Sequence, residues 1–218
     1  MFSSGHMGWT AHDAQPTHIC AEARLCDVST GFVGGTKVAT SFGWRAIEAI
    51  AVGDKVLTFD DGLQPVTAVE RQTLRFDRRG DQAARWPLLV PEHALGNRDD
   101  MILMPRQAIM VESDAAEDMF GDPFAVIPAL ALDGHRGIRR TIPGARIDVV
   151  HLAFERDQVV FANAGALFLC PANTDLLTAP APIYSVLSLE AADALVNRME
   201  REDQRHHTHS ANPQTRVA

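Results

Sequence analysis

The chain has 218 residues, enough for one hydrophobic core without disulfide or metal staples. Apolar residues make up 46% and charged residues 22%, which excludes a disordered, collagenous or coiled-coil bulk. Lys and Arg number 20 against 28 Asp and Glu, and the net charge of −8 argues against nucleic acid and anionic membranes as partners.

The three cysteines, Cys20, Cys26 and Cys170, are too sparse for a disulfide framework, but they leave room for one reactive thiol. Residues 1–13 carry neither the basic start nor the apolar stretch of a signal peptide. No apolar run approaches the ~18 residues of a spanning helix. The expected address is cytoplasmic, or outside the cell by export without a conventional signal peptide.

Residues 1–30 are weakly patterned and read as an N-terminal extension. Thr36 to Thr40, with Val38 and Ala39 between polar residues, reads as a half-buried strand. Ser41, Phe42 and Gly43 turn the chain. Lys55 to Phe59 is a second strand, closed by the hairpin turn Asp60-Asp61-Gly62. Val66 to Val69 is a third. Residues 71–86 hold Arg71, Arg75, Arg78, Arg79 and Arg85 and read as a polar loop. Short apolar strands follow at Leu88–Val90, Met101–Met104, Ala108–Val111 and Phe124–Ile127. Gly134 to Gly144 reads as a loop containing His135. Ile147–Phe154 is the clearest late strand, and the turn Glu155-Arg156-Asp157 leads into Val159–Ala162.

Many short strands with Gly and Pro between them predict an all-β fold rather than alternating βαβ units. One helix closes the pattern. Ser188 can cap it, Glu190 and Asp193 suit its N-terminal dipole, and Ala192, Leu195, Val196 and Met199 share a face. The expected division is a β domain at 31–185, a helix at 186–202 and a disordered tail at 203–218.

Three ordered blocks then carry a resemblance. The first is Gly31-Phe32-Val33-Gly34-Gly35-Thr36 with its following strand, Gly43, and Val52-Gly53-Asp54-Lys55-Val56. The second is Arg98-Asp99-Asp100-Met101-Ile102-Leu103-Met104-Pro105-Arg106-Gln107. The third runs from Val150-His151-Leu152-Ala153-Phe154 to Val160-Phe161-Ala162-Asn163. In this order they resemble the hedgehog/intein (Hint) domain, bacterial subtype, over about residues 31–172. The resemblance implies an all-β Hint fold with a C-terminal helix, and a family of self-processing domains acting by autoproteolysis or protein splicing.

In such a domain a Cys at the first position attacks the preceding carbonyl and turns the peptide bond into a thioester. The chemistry needs a nucleophile beside that carbonyl, a proton for the departing amine, and hydrogen-bond donors for the developing oxyanion. Here Gly31 stands at the nucleophile position and has no side chain. Gln107 stands where a His is expected; it can offer a hydrogen bond but delivers no proton near pH 7. Met104 replaces a Ser or Thr, and Asp157 stands at a later His. His151 matches a family position. The favoured reading is therefore a degenerate site with no confident catalytic residue, leaning away from an enzyme, and a domain retained as a binding or structural module for an unknown protein partner. That partner would use the former junction cleft or the face of the C-terminal helix.

Two alternatives stand beside it. One is an active self-processing domain cutting between Thr30 and Gly31. Thr30 or Ser29 would then act from a slipped register, although a one-residue slip on a strand reverses the side chain's face. Asp157 could serve as a base there. The other alternative is an unrelated β module that binds anions through its Arg-rich loop.

Plainer roles compete for the remaining residues. His151 on an apolar strand reads first as a structural histidine, and Cys170 as a small buried hydrophobe. Cys20 and Cys26 lack a second pair of ligands for zinc. His206, His207 and His209 read as part of a polar tail, and Gly34 and Gly35 as turn residues rather than a phosphate loop. No metal and no cofactor is expected.

Overall fold

A computed structural model describes residues 30–76, 85–172 and 182–210, with side chains through 205. Of the N-terminal extension only Thr30 is described; Ser29, Cys20, Cys26, Arg78, Arg79, the side chains of His206, His207 and His209, and residues 211–218 lie outside the described residues.

Among the described residues, fourteen strands form two antiparallel sheets. In chain order they are β1 (Phe32–Val33), β2 (Lys37–Thr40), β3 (Gly43–Ala46), β4 (Lys55–Thr58), β5 (Gly62–Pro65), β6 (Ala68–Arg75) and β7 (Leu88–Val90). They continue as β8 (Met101–Leu103), β9 (Ala108–Glu112), β10 (Phe124–Pro128), β11 (Arg139–Arg140), β12 (Arg146–Ala153), β13 (Gln158–Ala162) and β14 (Ala166–Cys170). The first sheet has the order β11-β7-β8-β1-β12-β6. The second runs β10-β9-β14-β13-β2-β4-β5, with β3 on the flank of β2. This is the all-β architecture that the short strands and turns predict.

The longest ladder joins β12 to β6, from Arg146 opposite Arg75 to Ala153 opposite Ala68. Strand β12 is buried from Val149 to Ala153, so both of its faces are covered. Val150 and Leu152 enter the main core, while Val149 packs on the other face with Leu74 and Met104. Phe32 on β1 stacks on Phe168 of β14 with centroids 4.7 Å apart, which locks the two sheets together.

The ladder corrects one reading. Arg71 and Arg75 belong to β6, not to a polar loop. Arg71 donates through Nη2 to the carbonyls of Glu48 and Ile50, at 3.2 and 2.6 Å, so it ties the sheet to the turn after β3.

The described residues also hold two α-helices. Helix α1 (Asp114–Phe120) is capped by Ser113, whose Oγ accepts from the amide of Ala116, and ends at Gly121 with φ 77°. Helix α2 (Leu189–Ser210) begins as expected, with Ser188 Oγ accepting from Ala191 N at 3.2 Å. It continues beyond 202, through Asp203, which grips Arg136 with two hydrogen bonds of 2.8 and 2.9 Å. The helix therefore passes the boundary expected at 202. Ala192, Leu195, Val196 and Met199 are all buried in the main core. The apolar face of α2 is covered by its own domain and is not a free surface for a partner. No helix of the described residues is long and apolar enough to cross a membrane.

Candidate functional site

The register of β1 on β12 builds the site. Phe32 pairs with Val150 and Val33 with Val149. One further step in that antiparallel register sets Gly31 beside His151. The approach is close. A Cβ on Gly31 would lie 2.5 Å from Val149 Cγ1, 2.9 Å from His151 Cε1 and 3.1 Å from His151 Nδ1. Gly31 also has φ +99°, a conformation that L side chains rarely adopt. The position at the head of the first block is thus built around the absence of a side chain.

Gln107 holds the same residue from the other side. The Gly31 amide donates to Gln107 Oε1 at 2.8 Å. Gln107 Nε2 donates to the carbonyls of Ala108 and Leu169, both at 2.9 Å. These partners fix the amide's orientation, because an N–H must meet the oxygen and carbonyls must meet the nitrogen. The turn before β9 presents the side chain, with Gln107 N bonded to Met104 O at 3.0 Å. One expectation needs correcting here. Gln107 can in principle donate to an oxyanion, but both of its N–H bonds are already given to backbone carbonyls.

Asp157 is placed by the turn between β12 and β13. Its Oδ1 accepts from Ala172 N at 2.9 Å and its Oδ2 from Ile183 N at 3.3 Å. The carboxylate ties together two backbone positions far apart in the chain, a structural use of its charge.

Gly31, Gln107, His151 and Asp157 all border one cavity of about 270 Å³, together with Thr30 and Cys170. The four positions singled out from the sequence therefore converge. His151 is 6% exposed on the same face of β12 as Val149, against Gly31. Met104 is absent from the lining; it is a core residue beside Leu74 and Val149.

Sequence reasoning did not place Cys170 or Tyr184 at this site. Cys170 ends β14 and is 2% exposed. Burial pushes its thiol well above the usual cysteine range, so it is protonated and unreactive at neutral pH. It behaves as the small hydrophobe that its apolar neighbours suggest. Tyr184 arrives from a strap, Pro182 to Leu187, held to β10 by Leu187 N bonding to Val126 O at 2.8 Å. Its residues alternate. Pro182, Tyr184 and Val186 line the cavity at Gly31, whereas Ile183, Ser185 and Leu187 line a second one of about 440 Å³ that Tyr184 also borders. No spacing rule in the sequence points to this strap.

Chemically, the cavity offers no nucleophilic side chain at residue 31 and no proton donor from Gln107 to its amide. Among the described residues no cluster of three or more His, Cys, Asp or Glu side chains is arranged to hold a metal ion.

Solved structures similar to the chain include the solution structure of a bacterial intein-like domain from Clostridium thermocellum. It is 16% identical, covers 64% of this chain and 97% of its own, and has a TM-score of 0.46. The gp41-1 intein is 13% identical, with 64% and 98% covered and a TM-score of 0.40. The AceL NrdHF class 3 split intein, a splice-inactive variant, is 16% identical, with 65% and 97% covered and a TM-score of 0.38. No curated protein matches the chain. A family model described as "Hint domain" matches residues 30–167. That span takes in both walls of the cavity, from Thr30 and Gly31 through Gln107 to His151 and Asp157, and by it the chain belongs to the Hint domain family.

Proposed function

We propose that this Hint domain does not cut the Thr30–Gly31 bond and is retained as a binding or structural module, with the cavity at Gly31 as the face it offers a partner. One observation carries the reading. A Cβ at residue 31 would stand 2.5 Å from Val149 Cγ1, so the backbone is shaped for glycine and not for a cysteine. An ordinary nucleophile swap would leave room for a side chain; this site has none.

Gln107 supports the same reading. Cleavage requires the Gly31 nitrogen to leave with a proton. The group in contact with that nitrogen accepts its hydrogen bond and has no proton to give. The site keeps the contact that orients the peptide and lacks the chemistry that would break it.

The test is the intact mass of the purified full chain after prolonged incubation with a thiol or hydroxylamine. A single unchanged mass is expected. A fragment beginning at Gly31 would overturn the reading. Restoration gives a second test. Gly31→Cys with Gln107→His should still cleave poorly, because the thiol has no space beside Val149. Adding Val149→Ala should raise cleavage. Efficient cleavage by Gly31→Cys alone would show that neither the space nor Gln107 is a defect.

A further inference from the structure

The second cavity, about 440 Å³ on the outer face of the second sheet, has a lining that the Hint chemistry does not use. Its floor includes Met110 and Val126, part of a small apolar cluster separate from the main core. Four aromatic residues border it: Phe59, Phe120, Phe124 and Tyr184. Phe59 and Phe124 meet edge to face, with centroids 5.0 Å apart. Phe120 is 45% exposed at the rim.

Two carboxylates stand among these rings, Asp60 and Asp122. Asp60 accepts the hydroxyl of Tyr184, and Asp122 Oδ1 accepts from Phe124 N at 2.9 Å. Both carboxylates are exposed at the cavity mouth, and each is oriented by one hydrogen bond. No Lys, Arg or His is among the described residues lining the cavity, and neither Asp60 nor Asp122 forms an ion pair among the described residues. The Tyr184 hydroxyl is pushed up first by burial, and then by Asp60, Asp61 (itself paired with Arg156) and Asp157.

Aromatic walls alone would suit any apolar ligand. Two uncompensated carboxylates beside them restrict the choice. A bare metal ion wants several converging oxygens, and the described residues contain no such cluster. An anion is repelled. An ammonium ion coated in alkyl groups answers both features, since its charge attracts carboxylates and ring faces while its surface is apolar. The volume falls in the range of small-ligand sites rather than of a peptide groove.

We propose that this cavity binds a small alkylammonium cation of the quaternary type, held between the aromatic rings and the carboxylates of Asp60 and Asp122. The site is independent of whether the Thr30–Gly31 bond can be cut.

The experiment is calorimetric titration of the full chain with choline, beside its neutral isostere 3,3-dimethylbutan-1-ol. Choline should saturate at or below about 10 mM, and the isostere should bind at least about tenfold more weakly. Asp60→Asn combined with Asp122→Asn keeps both acceptor oxygens but removes the charges. That variant should weaken choline binding at least about tenfold. Phe120→Ala, at the exposed rim, should weaken it as well. No saturation by choline, or equal binding of the isostere to the wild-type chain, would overturn the proposal. The isostere comparison decides the matter even if the double variant does not fold.

Discussion

The amide of Gly31 donates to Oε1 of Gln107 at 2.8 Å, joining residues 76 positions apart at the head of the first block and the end of the second. Because Gln107 also donates to Ala108 and Leu169, one side chain bridges β1, the start of β9 and the end of β14. It is only 4% exposed, so these bonds are largely shielded from bulk water.

Gln107→Leu keeps much of the volume and removes all three bonds. It strands the Gly31 amide and the Leu169 carbonyl in an apolar setting, at about 1–3 kcal/mol for each unsatisfied group. Urea unfolding should show a loss of roughly 2–5 kcal/mol with an unchanged m-value. A loss below about 0.5 kcal/mol would mean that the bridge carries no stability.

Gly31→Ala should destabilise the fold by about 2–4 kcal/mol, from left-handed strain and from overlap with Val149 and His151. The overlap is separable from the strain. In a Val149→Ala background the same substitution should cost at least about 1 kcal/mol less, a coupling that a double-mutant cycle reads directly. Strict additivity would mean that Val149 does not confine residue 31.

His135 supplies a pH dependence. It is 1% exposed, with Nδ1 3.8 Å from Glu200 Oε1, and Arg136 and Asp203 stand beside it. Burial, followed by the positive charge of Arg136, lowers its pKa below 6.5, and Asp203 and Glu200 oppose this only in part. The unfolded chain therefore takes up the proton first as pH falls. Its contribution to stability is intact above pH 6.5 and declines as pH drops through the window below that value. The urea midpoint should fall between pH 7 and pH 5, and His135→Leu should flatten that part of the profile. An identical slope in the variant would assign the dependence to other groups.

Much of the fold is legible along the chain because its strands carry local marks. The apolar run Ile147–Phe154, the Asp60-Asp61-Gly62 turn and the helical face through Ala192, Leu195, Val196 and Met199 each announce an element within a few residues. Helix α1 is harder to find. It is only seven residues long and buries two alanines, Ala115 and Ala116, so its face is too short to show a period. Its signals are the caps, Ser113 and Gly121. The end of β6 is paired by a distant partner, Arg146 opposite Arg75, and the part of α2 beyond 202 is held by Arg136 at Asp203; no local pattern contains either partner.

The candidate site divides in the same way. Gly31, Gln107, His151 and Asp157 can be picked out because each stands at a motif position. That residue 31 has no room for a Cβ is a property of Val149 and His151 across the ladder, visible only once β1 is laid on β12. Tyr184 and Cys170 reach the cavity from a strap and a strand outside any motif.

The strap from Pro182 to Leu187 has a mechanical consequence. It is a partition one residue thick between two chambers, and Tyr184 faces both. Its hydroxyl is anchored to Asp60 on one side, while Asp157 on the other anchors its neighbour Ile183. Whatever displaces the tyrosine from one chamber changes the shape of the other.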